Sequence, residues 1–291
     1  MELPKLLISF SGGRTSAYMT KLLLDKYQAV YDMIVVFANT GKEREETLEF
    51  IKKCDDIFHF NTIWVEAITN PERGKGTRAK IVNYDTASRN GEPFEAMIAK
   101  HGMPSIASPH CTRELKRYTI QSYAKSIGWK KYQTAIGIRV DEIDRVKNDK
   151  KFIYPLVSYQ HGVRKNDINK FWSQQTFDLE LKSYEGNCDL CFKKSFRKLM
   201  TLVNEKPELT DWYKEIDSKY SNYIPAGRTK KVVPIYSFRL NKSIHDIIDM
   251  AKNKFDPAKD ESKYQPQYEQ GNLWGIELDL SNGCIESCEV F

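Results

Sequence analysis

The sequence of 291 residues has no uninterrupted run of about 18 apolar residues, the minimum for a membrane-spanning helix. Residues 1–5 contain no basic segment followed by an apolar stretch, so they do not resemble a secretory leader. Internal repeats and low-complexity segments are absent as well. Because 41% of the residues are hydrophobic, we expect a folded, cytoplasmic protein that does not contact membranes.

Two common nucleotide-binding signatures are also missing. The glycine-rich turn near the start has neither the lysine of a Walker loop nor the spacing of a dinucleotide-binding fingerprint. His59, His161 and His245 do not have the spacing of metal ligands. The formal charge of +6 is only mildly basic, which is compatible with a nucleic acid or a small polyanion as partner but establishes neither.

The first half of the sequence alternates short apolar runs with segments of helical periodicity. Strands are predicted over residues 6–10, 33–38, 62–66 and 132–138, and helices over 16–27, 45–54, 92–101 and 113–127. This alternation predicts an α/β fold with a doubly wound, mostly parallel sheet and helices on both faces.

After Tyr154-Pro155-Leu156 the composition shifts towards lysine, aromatic residues and loops. Helices are predicted over residues 167–182, 192–203, 208–217 and 241–253, and a polar surface loop over 256–271. We therefore predict a nucleotide-binding domain over residues 1–155 and a mainly helical, cysteine-containing region over 156–291 that packs on it.

The first informative motif is the turn between the first predicted strand and helix, Ser11-Gly12-Gly13-Arg14-Thr15-Ser16. Glycines let the backbone approach an anion closely, and the free N–H groups at a helix start attract negative charge. The hydroxyl groups and Arg14 supply further donors. A serine-capped turn without a ligand is the alternative interpretation of this segment taken alone.

Four segments in order resemble the phosphoadenosine phosphosulfate (PAPS) reductase family of the PP-loop ATP pyrophosphatases. Residues 10–16 resemble its PP-loop, and residues 37–50 its Asp-Thr-Gly segment, with Asn39 in place of the usual aspartate. Gly137-Ile138-Arg139, followed by Glu142 and Arg145, resembles a later motif, and residues 154–172 resemble a fourth. The resemblance implies the adenine nucleotide alpha-hydrolase-like version of the α/β fold.

The resemblance also implies roles for single residues. Ser11, Gly12, Gly13, Thr15 and Ser16 would hold phosphates of ATP and its Mg²⁺, with Arg14 beside them. The segment Asn39, Thr40 and Gly41 would lie near the adenosine, and Gly137 and Arg139 would close the pocket. If the resemblance is set aside, the alternative interpretation of Asn39-Thr40-Gly41 is a turn that leads into a helix. The alternative for Arg139 is a surface ion pair with Asp141 or Glu142.

The cysteines provide the second signal. Cys111 stands at the start of a predicted helix, where the helix N-terminus, Arg113 and Lys116 would stabilise its thiolate. This favours a nucleophile, a persulfide carrier or a metal ligand, with Arg113 as a second catalytic candidate in the pocket. A buried, inert cysteine is the alternative, and that is how we interpret Cys54.

Cys188-Asp189-Leu190-Cys191 is the stronger cysteine motif, because two thiolates at this spacing can bind one metal centre. Cys111 is the leading third ligand, and Cys284, Cys288 or His110 are candidates for the fourth. Three thiolates with an open position would suit a [4Fe–4S] cluster, and four would suit structural Zn²⁺. Spacing alone does not separate these choices from free thiols. The Glu-Cys-Gly-Ile/Leu-His tail of PAPS reductases is absent around Cys284 and Cys288.

Three basic segments, residues 73–80, 192–198 and 228–231, carry the charge expected of nucleic-acid contacts, although solvated surfaces are the commoner result. Together the motifs predict ATP-dependent sulfur transfer to a tRNA or DNA acceptor or a small molecule, with a sulfur donor protein as partner and a homodimer as the candidate assembly. A PAPS or adenosine phosphosulfate reductase is the first alternative. An adenine-nucleotide-binding module without turnover is the second.

Overall fold

The computed structural model describes residues 2–72, 74–186, 188–227 and 233–266. A six-stranded sheet forms its centre, in the order β4-β3-β2-β1-β5-β6. The strands span Lys5–Ser9 (β1), Asp32–Asn39 (β2), Ile63–Ile68 (β3), Arg78–Val82 (β4), Gln133–Ala135 (β5) and Phe152–Ile153 (β6). Neighbouring strands are parallel except for β4, which runs antiparallel to β3 at the edge. The predicted α/β class with a mostly parallel sheet is confirmed.

Helices flank this sheet and make up most of the regular structure beyond it. They span Arg14–Tyr27 (α1), Glu45–Phe58 (α2), Glu92–His101 (α3), Thr119–Ser126 (α4), Pro155–Ser158 (α5), Lys165–Ser173 (α6), Phe196–Glu205 (α7), Thr210–Tyr220 (α8) and Ile244–Ala251 (α9). Short 3₁₀ turns occupy Val140–Arg145, Pro207–Leu209 and Arg239–Asn241, and a π-helical segment, Thr112–Tyr118, precedes α4. In the described residues, none of the helices combines the length and apolar character needed to cross a bilayer.

Alternating side chains of the buried strands serve the two faces of the sheet. Leu6 and Ile8 join one core with residues of α1 and α2, including Met19 and Leu48. Leu7, between them, packs on the opposite face against residues of α4. A strand buried on both faces is continuously apolar, which is why the run Leu-Leu-Ile predicted β1 correctly.

The mainly helical C-terminal region was also predicted correctly, and its first part contributes to the sheet's own core. Trp172 and Leu179 are buried in the same cluster as Leu6 and Ile8. A separate apolar cluster unites α3, α7, α8 and α9 with the cysteines 111, 188 and 191. The division of the chain at residue 155 stays a prediction, and Leu156 lies in the core that surrounds β1.

Several elements differ from the prediction. The segment 78–82, interpreted as part of a flexible basic stretch, is the edge strand β4. The helix expected over 167–182 covers Lys165–Ser173 only, since the following residues extend along the PP-loop and Asp178 binds Arg14. The helix expected from residue 113 is π-helical up to Tyr118.

Candidate nucleotide site and thiol cavity

The turn between β1 and α1 is shaped to receive an anion. Helix α1 begins at Arg14. Its N-cap residue, Gly13, has no side chain that could accept a hydrogen bond from the first N–H groups of the helix. The backbone N–H groups of the first turn therefore point towards the space in front of the helix, together with the positive end of its dipole. The hydroxyl of Ser16 lies 2.9 Å from that of Ser11 and donates to the carbonyl of Gly13 at 3.0 Å, which fixes the loop.

Two glycines of the site have no room for a side chain. Gly12 has a φ of +78°, and a Cβ atom added there would lie 2.6 Å from Thr47 Cγ2 and 2.9 Å from Ile51 Cδ1. At Gly137, which follows β5, an added Cβ would lie 3.2 Å from the Cα of Ser16. The loop after β5 thus packs directly on the start of α1, and this contact places the next residues beside the PP-loop.

Arg139, which the motifs predicted, lies beside this loop. Its Nη1 donates to the hydroxyl of Thr15 at 3.2 Å, and its Nε lies 3.1 Å from Asp141 Oδ1. Glu142 is 3.6 Å from the same guanidinium and also binds Arg145 at 2.6 Å. Arg139 is buried and forms an ion pair with Asp141 while it borders the loop, and its role in closing the pocket stays a prediction.

Arg14 is directed away from the expected phosphate position. Its guanidinium binds both carboxylate oxygens of Asp178, and Nη2 also donates to the carbonyl of Leu179 at 2.7 Å. The carbonyl of Arg14 accepts a hydrogen bond from the indole of Trp172 at 3.1 Å. The side chain of Arg14 therefore joins the loop to the C-terminal region, while its backbone N–H remains in the uncapped first turn of α1.

A cleft of about 860 Å³, open solvent included, lies in front of the loop. The lining combines all six PP-loop residues with parts of the C-terminal region: Ser11, Gly12, Gly13, Arg14, Thr15, Ser16, Thr47, Arg139, Glu142, Lys165, Ile168, Asn169, Leu179, Leu181, Lys182, Ser183, Gly186 and Ser262. The prediction did not single out Lys165, Asn169 and Lys182, although residues 154–172 had been noted as a motif.

The segment Asn39, Thr40 and Gly41 follows β2 at the same edge of the sheet and is buried. Asn39 donates to Glu66 at 2.6 Å and to the carbonyl of Ser88 at 2.9 Å. Thr40 binds Glu43 through its backbone N–H at 2.8 Å and through its hydroxyl. These contacts hold the turn in place, and a role beside the adenosine stays a prediction for all three residues.

Three of the predicted cysteines meet in a second, mostly apolar cavity. Cys111, Cys188 and Cys191 all line it, together with Thr40 and Lys116. They come from two places in the sequence. Cys111 directly precedes the π-helical segment, whereas Cys188, three residues before Cys191, pairs through its backbone with Glu43, after β2. Spacing in the sequence predicted the Cys188–Cys191 pair, and the structure brings Cys111 to it.

Buried polar groups surround Cys188. Its Sγ lies 3.4 Å from the hydroxyl of Thr40 and 3.7 Å from Glu43 Oε1. The amine of Lys116 is 3.8 Å from the same oxygen. The hydroxyl oxygen of Tyr213 accepts the N–H of Leu190 at 3.2 Å, and burial raises the pKa of Tyr213 well above its ordinary value. The motifs did not reveal Glu43 or Tyr213 as members of this site, whereas Lys116 was expected beside Cys111 and lines the same cavity.

The donor set of the thiol cavity suits thiolate-ligated iron or zinc in its chemistry. Its spacing is not that of a single bound ion, because within 2–72, 74–186, 188–227 and 233–266 no group of three or more His, Cys, Asp or Glu side chains is placed to hold one. The predicted ligands Cys284 and Cys288 lie outside the described residues. Metal binding by Cys111, Cys188 and Cys191 stays a prediction.

Arg113 does not reach either cavity in the part of the chain that the structure describes. Its Nε donates to Glu114 at 2.8 Å, and Nη2 lies 3.2 Å from His110 Nδ1. Cys54 is buried in α2 beside β1, where burial raises the pKa of its thiol. The thiol of Cys54 therefore stays protonated and is separate from the three in the cavity.

One short segment borders both cavities. Ser183 and Gly186 line the cleft at the PP-loop, whereas Cys188, Leu190 and Cys191 line the thiol cavity. The buried amine of Lys194 donates to the carbonyls of Tyr184 at 3.0 Å and Gly186 at 2.5 Å, which fixes this segment from behind. The two cavities are therefore lined by residues as close in the sequence as Gly186 and Cys188.

The strand, glycine turn and uncapped helix at the carboxyl edge of a parallel sheet define a PP-loop protein of the α/β class. Residues 5–107 match the model of the phosphoadenosine phosphosulfate reductase domain. The chain is 30% identical over 288 residues to the uncharacterized nin region protein ORF290 of Escherichia phage lambda, which covers 98% of this chain and 94% of that protein. It is 26% identical over 165 residues to the uncharacterized protein MJ0973 of Methanocaldococcus jannaschii, covering 56% of this chain and 31% of that protein.

The chain therefore belongs to the PAPS reductase-like family of the PP-loop superfamily, together with the phage lambda protein. The domain match points to an enzyme of the PP-loop or sulfonucleotide type. It ends before Cys111, so the residues of the thiol cavity other than Thr40, Phe94, Ile98 and Pro104 belong to the part of the chain beyond the matched domain.

Proposed function

We propose that this protein is an ATP pyrophosphatase that activates an oxygen atom of an acceptor and replaces it with sulfur. The observation that carries the proposal is the closeness of a PP-loop cleft to a cavity lined by Cys111, Cys188 and Cys191, since Gly186 of the cleft and Cys188 of the cavity are two residues apart. A nucleotide-activating site and a set of thiols are the two parts that such a reaction requires, and here they are neighbours.

The first step would take place in the cleft. The acceptor oxygen attacks the α-phosphorus of ATP, the bond from that phosphorus to the bridging oxygen breaks, and pyrophosphate leaves with Mg²⁺. The uncapped N–H groups of α1 and the guanidinium of Arg139 would stabilise the negative charge that develops on the phosphates. Lys165 and Lys182 line the same cleft, where each is paired with a glutamate, Glu261 and Glu205.

The second step would use the thiols. A donor protein delivers sulfur as a persulfide on one cysteine, and the terminal sulfur displaces AMP from the activated acceptor. A neighbouring thiol then attacks the persulfide bond, which releases the thiolated acceptor and leaves a disulfide. A dithiol reductant returns both cysteines to thiols, so that two electrons are consumed in each turnover. A thiolate-ligated iron–sulfur cluster or zinc on the same cysteines is the alternative use of this cavity.

Product analysis tests the proposal directly. The full-length protein is incubated with ATP labelled at the α-phosphate, a persulfide donor, and tRNA or DNA as acceptor. Release of AMP and pyrophosphate in equal amounts is expected, with loss of both products in Ser16→Ala, which removes the hydroxyl that holds Ser11. Formation of ADP and phosphate alone, or no cleavage with any acceptor, would contradict it.

A sulfonucleotide reductase is the second candidate, and the match of residues 5–107 to the PAPS reductase domain favours it. In that reaction a cysteine thiolate takes the sulfonate from the nucleotide, and a second thiol releases sulfite as a disulfide forms. Incubation with PAPS and a reduced thioredoxin separates the two candidates. Sulfite release without any need for ATP would support the reductase and overturn sulfur transfer.

A further inference from the structure

An open groove of about 1250 Å³, solvent space included, runs between the edge strand β4 and helix α4. Two hydrogen bonds connect the start of β4 and the residue before it to the neighbouring helical segments. The hydroxyl of Thr77 donates to Glu114 at 2.8 Å, and the N–H of Ala79 donates to Ser122 Oγ at 3.2 Å. The strand and the helix that border the groove are therefore held together.

The charge of this surface is positive and uncompensated. Arg78 and Lys125 line the groove. Both are exposed, and within the described ranges neither of them forms an ion pair with a carboxylate. The lysines that line the PP-loop cleft differ in this respect, since Lys165 binds Glu261 and Lys182 binds Glu205. The groove lining contains no Asp or Glu.

An aromatic ring adds a second kind of contact. Tyr118, the last residue of the π-helical segment, lines the groove and is 37% exposed. The guanidinium of Arg117 lies 5.0 Å from the centre of its ring, which orients the ring from one side. Cations that track a phosphate backbone, together with an exposed ring on which a base can stack, are the two elements of single-strand recognition.

The groove and the thiol cavity border the same helical segment. The π-helical segment begins at Thr112, directly after Cys111, and Thr112 and Lys116 line the thiol cavity. Tyr118, at the other end of the segment, lines the groove. Seven residues at no more than 1.5 Å each place Tyr118 about 10 Å along the axis from Cys111.

We propose that this groove binds single-stranded nucleic acid, with backbone phosphates on Arg78 and Lys125 and a base stacked on Tyr118. This assignment rests on the proposed function, because it names single-stranded nucleic acid as the acceptor of the sulfur. A duplex keeps its bases stacked on one another and offers none to Tyr118, so a single-stranded segment is the ligand that uses both elements of the surface.

The test measures binding of fluorescein-labelled 12-nucleotide single strands, in DNA and RNA forms, to the full-length protein by anisotropy without ATP. Arg78→Glu/Lys125→Glu is compared with the control Lys150→Glu/Lys254→Glu, which changes the net charge equally at exposed lysines elsewhere. We expect the groove variant to lose about 10-fold or more in affinity, and the slope of log K against log salt to fall by about 1.4 for two lost phosphate contacts. The control should stay within about two-fold of the unmodified protein.

Tyr118→Ala separates stacking from charge. It should weaken binding about 5- to 100-fold while leaving the salt slope unchanged, because stacking contributes affinity without counterion release. Thermal unfolding of each variant establishes that it is folded. Equal losses in the groove and control variants, or no binding of either oligonucleotide, would overturn the proposal.

The outcome is separable from that of the proposed function. Because binding is measured without ATP, it is independent of any pyrophosphate release. Oligonucleotide binding at the groove, with no cleavage of ATP in its presence, would overturn the proposed function and leave the groove assignment standing. Release of pyrophosphate with a small acceptor, and no binding of either strand, would do the reverse.

Discussion

The guanidinium of Arg14 and the carboxylate of Asp178 are joined by two hydrogen bonds, 2.6 Å from Nε to Oδ1 and 2.7 Å from Nη2 to Oδ2. Paired donors and acceptors in this arrangement are among the stronger ionic contacts of proteins. The contact connects the first turn of α1 to the segment that closes one side of the cleft.

Asp178→Asn should therefore weaken both the fold and the cleft. Because the carboxylate is 37% exposed, solvent screening limits the loss in the free energy of unfolding to about 1 kcal/mol. Denaturant unfolding measures this loss. Asp25→Asn, which breaks the exposed pair with Lys21, is the control and should change stability by no more than about 0.5 kcal/mol. Equal effects of the two substitutions would show that Arg14 does not hold the cleft.

Neighbouring glycines of the PP-loop are predicted to differ in their tolerance of alanine. Gly12→Ala places a methyl group 2.6 Å from Thr47 at a φ of +78°, so we expect a loss of about 2 kcal/mol or more in unfolding free energy. At Gly13 the nearest atom to an added Cβ is Ser11 Oγ at 3.8 Å, and φ is −100°. Gly13→Ala should be within about 0.5 kcal/mol of the unmodified protein in the same measurement.

Arg139→Gln should weaken ATP binding by about 10- to 100-fold, the effect of losing one charged hydrogen bond to a phosphate. Titration calorimetry with ATP and Mg²⁺ measures the change. Arg197→Gln serves as the control because Arg197 is not among the described residues of the cleft. Unchanged affinity in Arg139→Gln would show that this guanidinium serves only its ion pair with Asp141.

The thiols make a separate prediction. Cys188→Ala and Cys191→Ala should each lower the rate of formation of the thiolated acceptor by about 10³-fold or more, because each removes a thiol that the covalent steps require. Cys54→Ala, buried away from the cavity, should retain full activity with a modest loss of stability. Metal analysis of anaerobically purified protein tests the alternative. Iron or zinc that is retained by the unmodified protein and by Cys54→Ala, but lost from Cys188→Ala, would assign the cavity to metal binding.

Asp217 makes stability depend on pH. Burial raises its pKa from 3.8 to about 6, so the folded state binds more protons than the unfolded state between these values. The unfolding free energy therefore falls as pH rises through this window, by at most about 3 kcal/mol at 1.36 kcal/mol per pKa unit. In Asp217→Asn that fall should be smaller, since the amide oxygen can still accept the N–H of Ile244. Asp249→Asn, at an exposed pair, should leave the pH profile unchanged.

The sequence predicted the sheet and the PP-loop because local patterns determine them. An apolar run followed by two glycines and a helical periodicity is sufficient to place β1, the turn and α1 in order. The edge strand β4 escaped prediction since its residues, Arg78 to Val82, have the composition of a solvated loop and are ordered by pairing with β3. Cys188 contacts Glu43, which in turn pairs with Lys116. These residues are distant in sequence, and no spacing rule connects them.

The closeness of the two cavities has a thermodynamic consequence. Gly186 lines the nucleotide cleft, Cys188 lines the thiol cavity, and Lys194 holds the carbonyl of Gly186. Two ligands that prefer the same placement of these residues must strengthen each other's binding by one common factor. Whatever factor a change in the redox state of the thiols makes in the affinity for ATP, bound ATP makes the same factor in the equilibrium between those redox states.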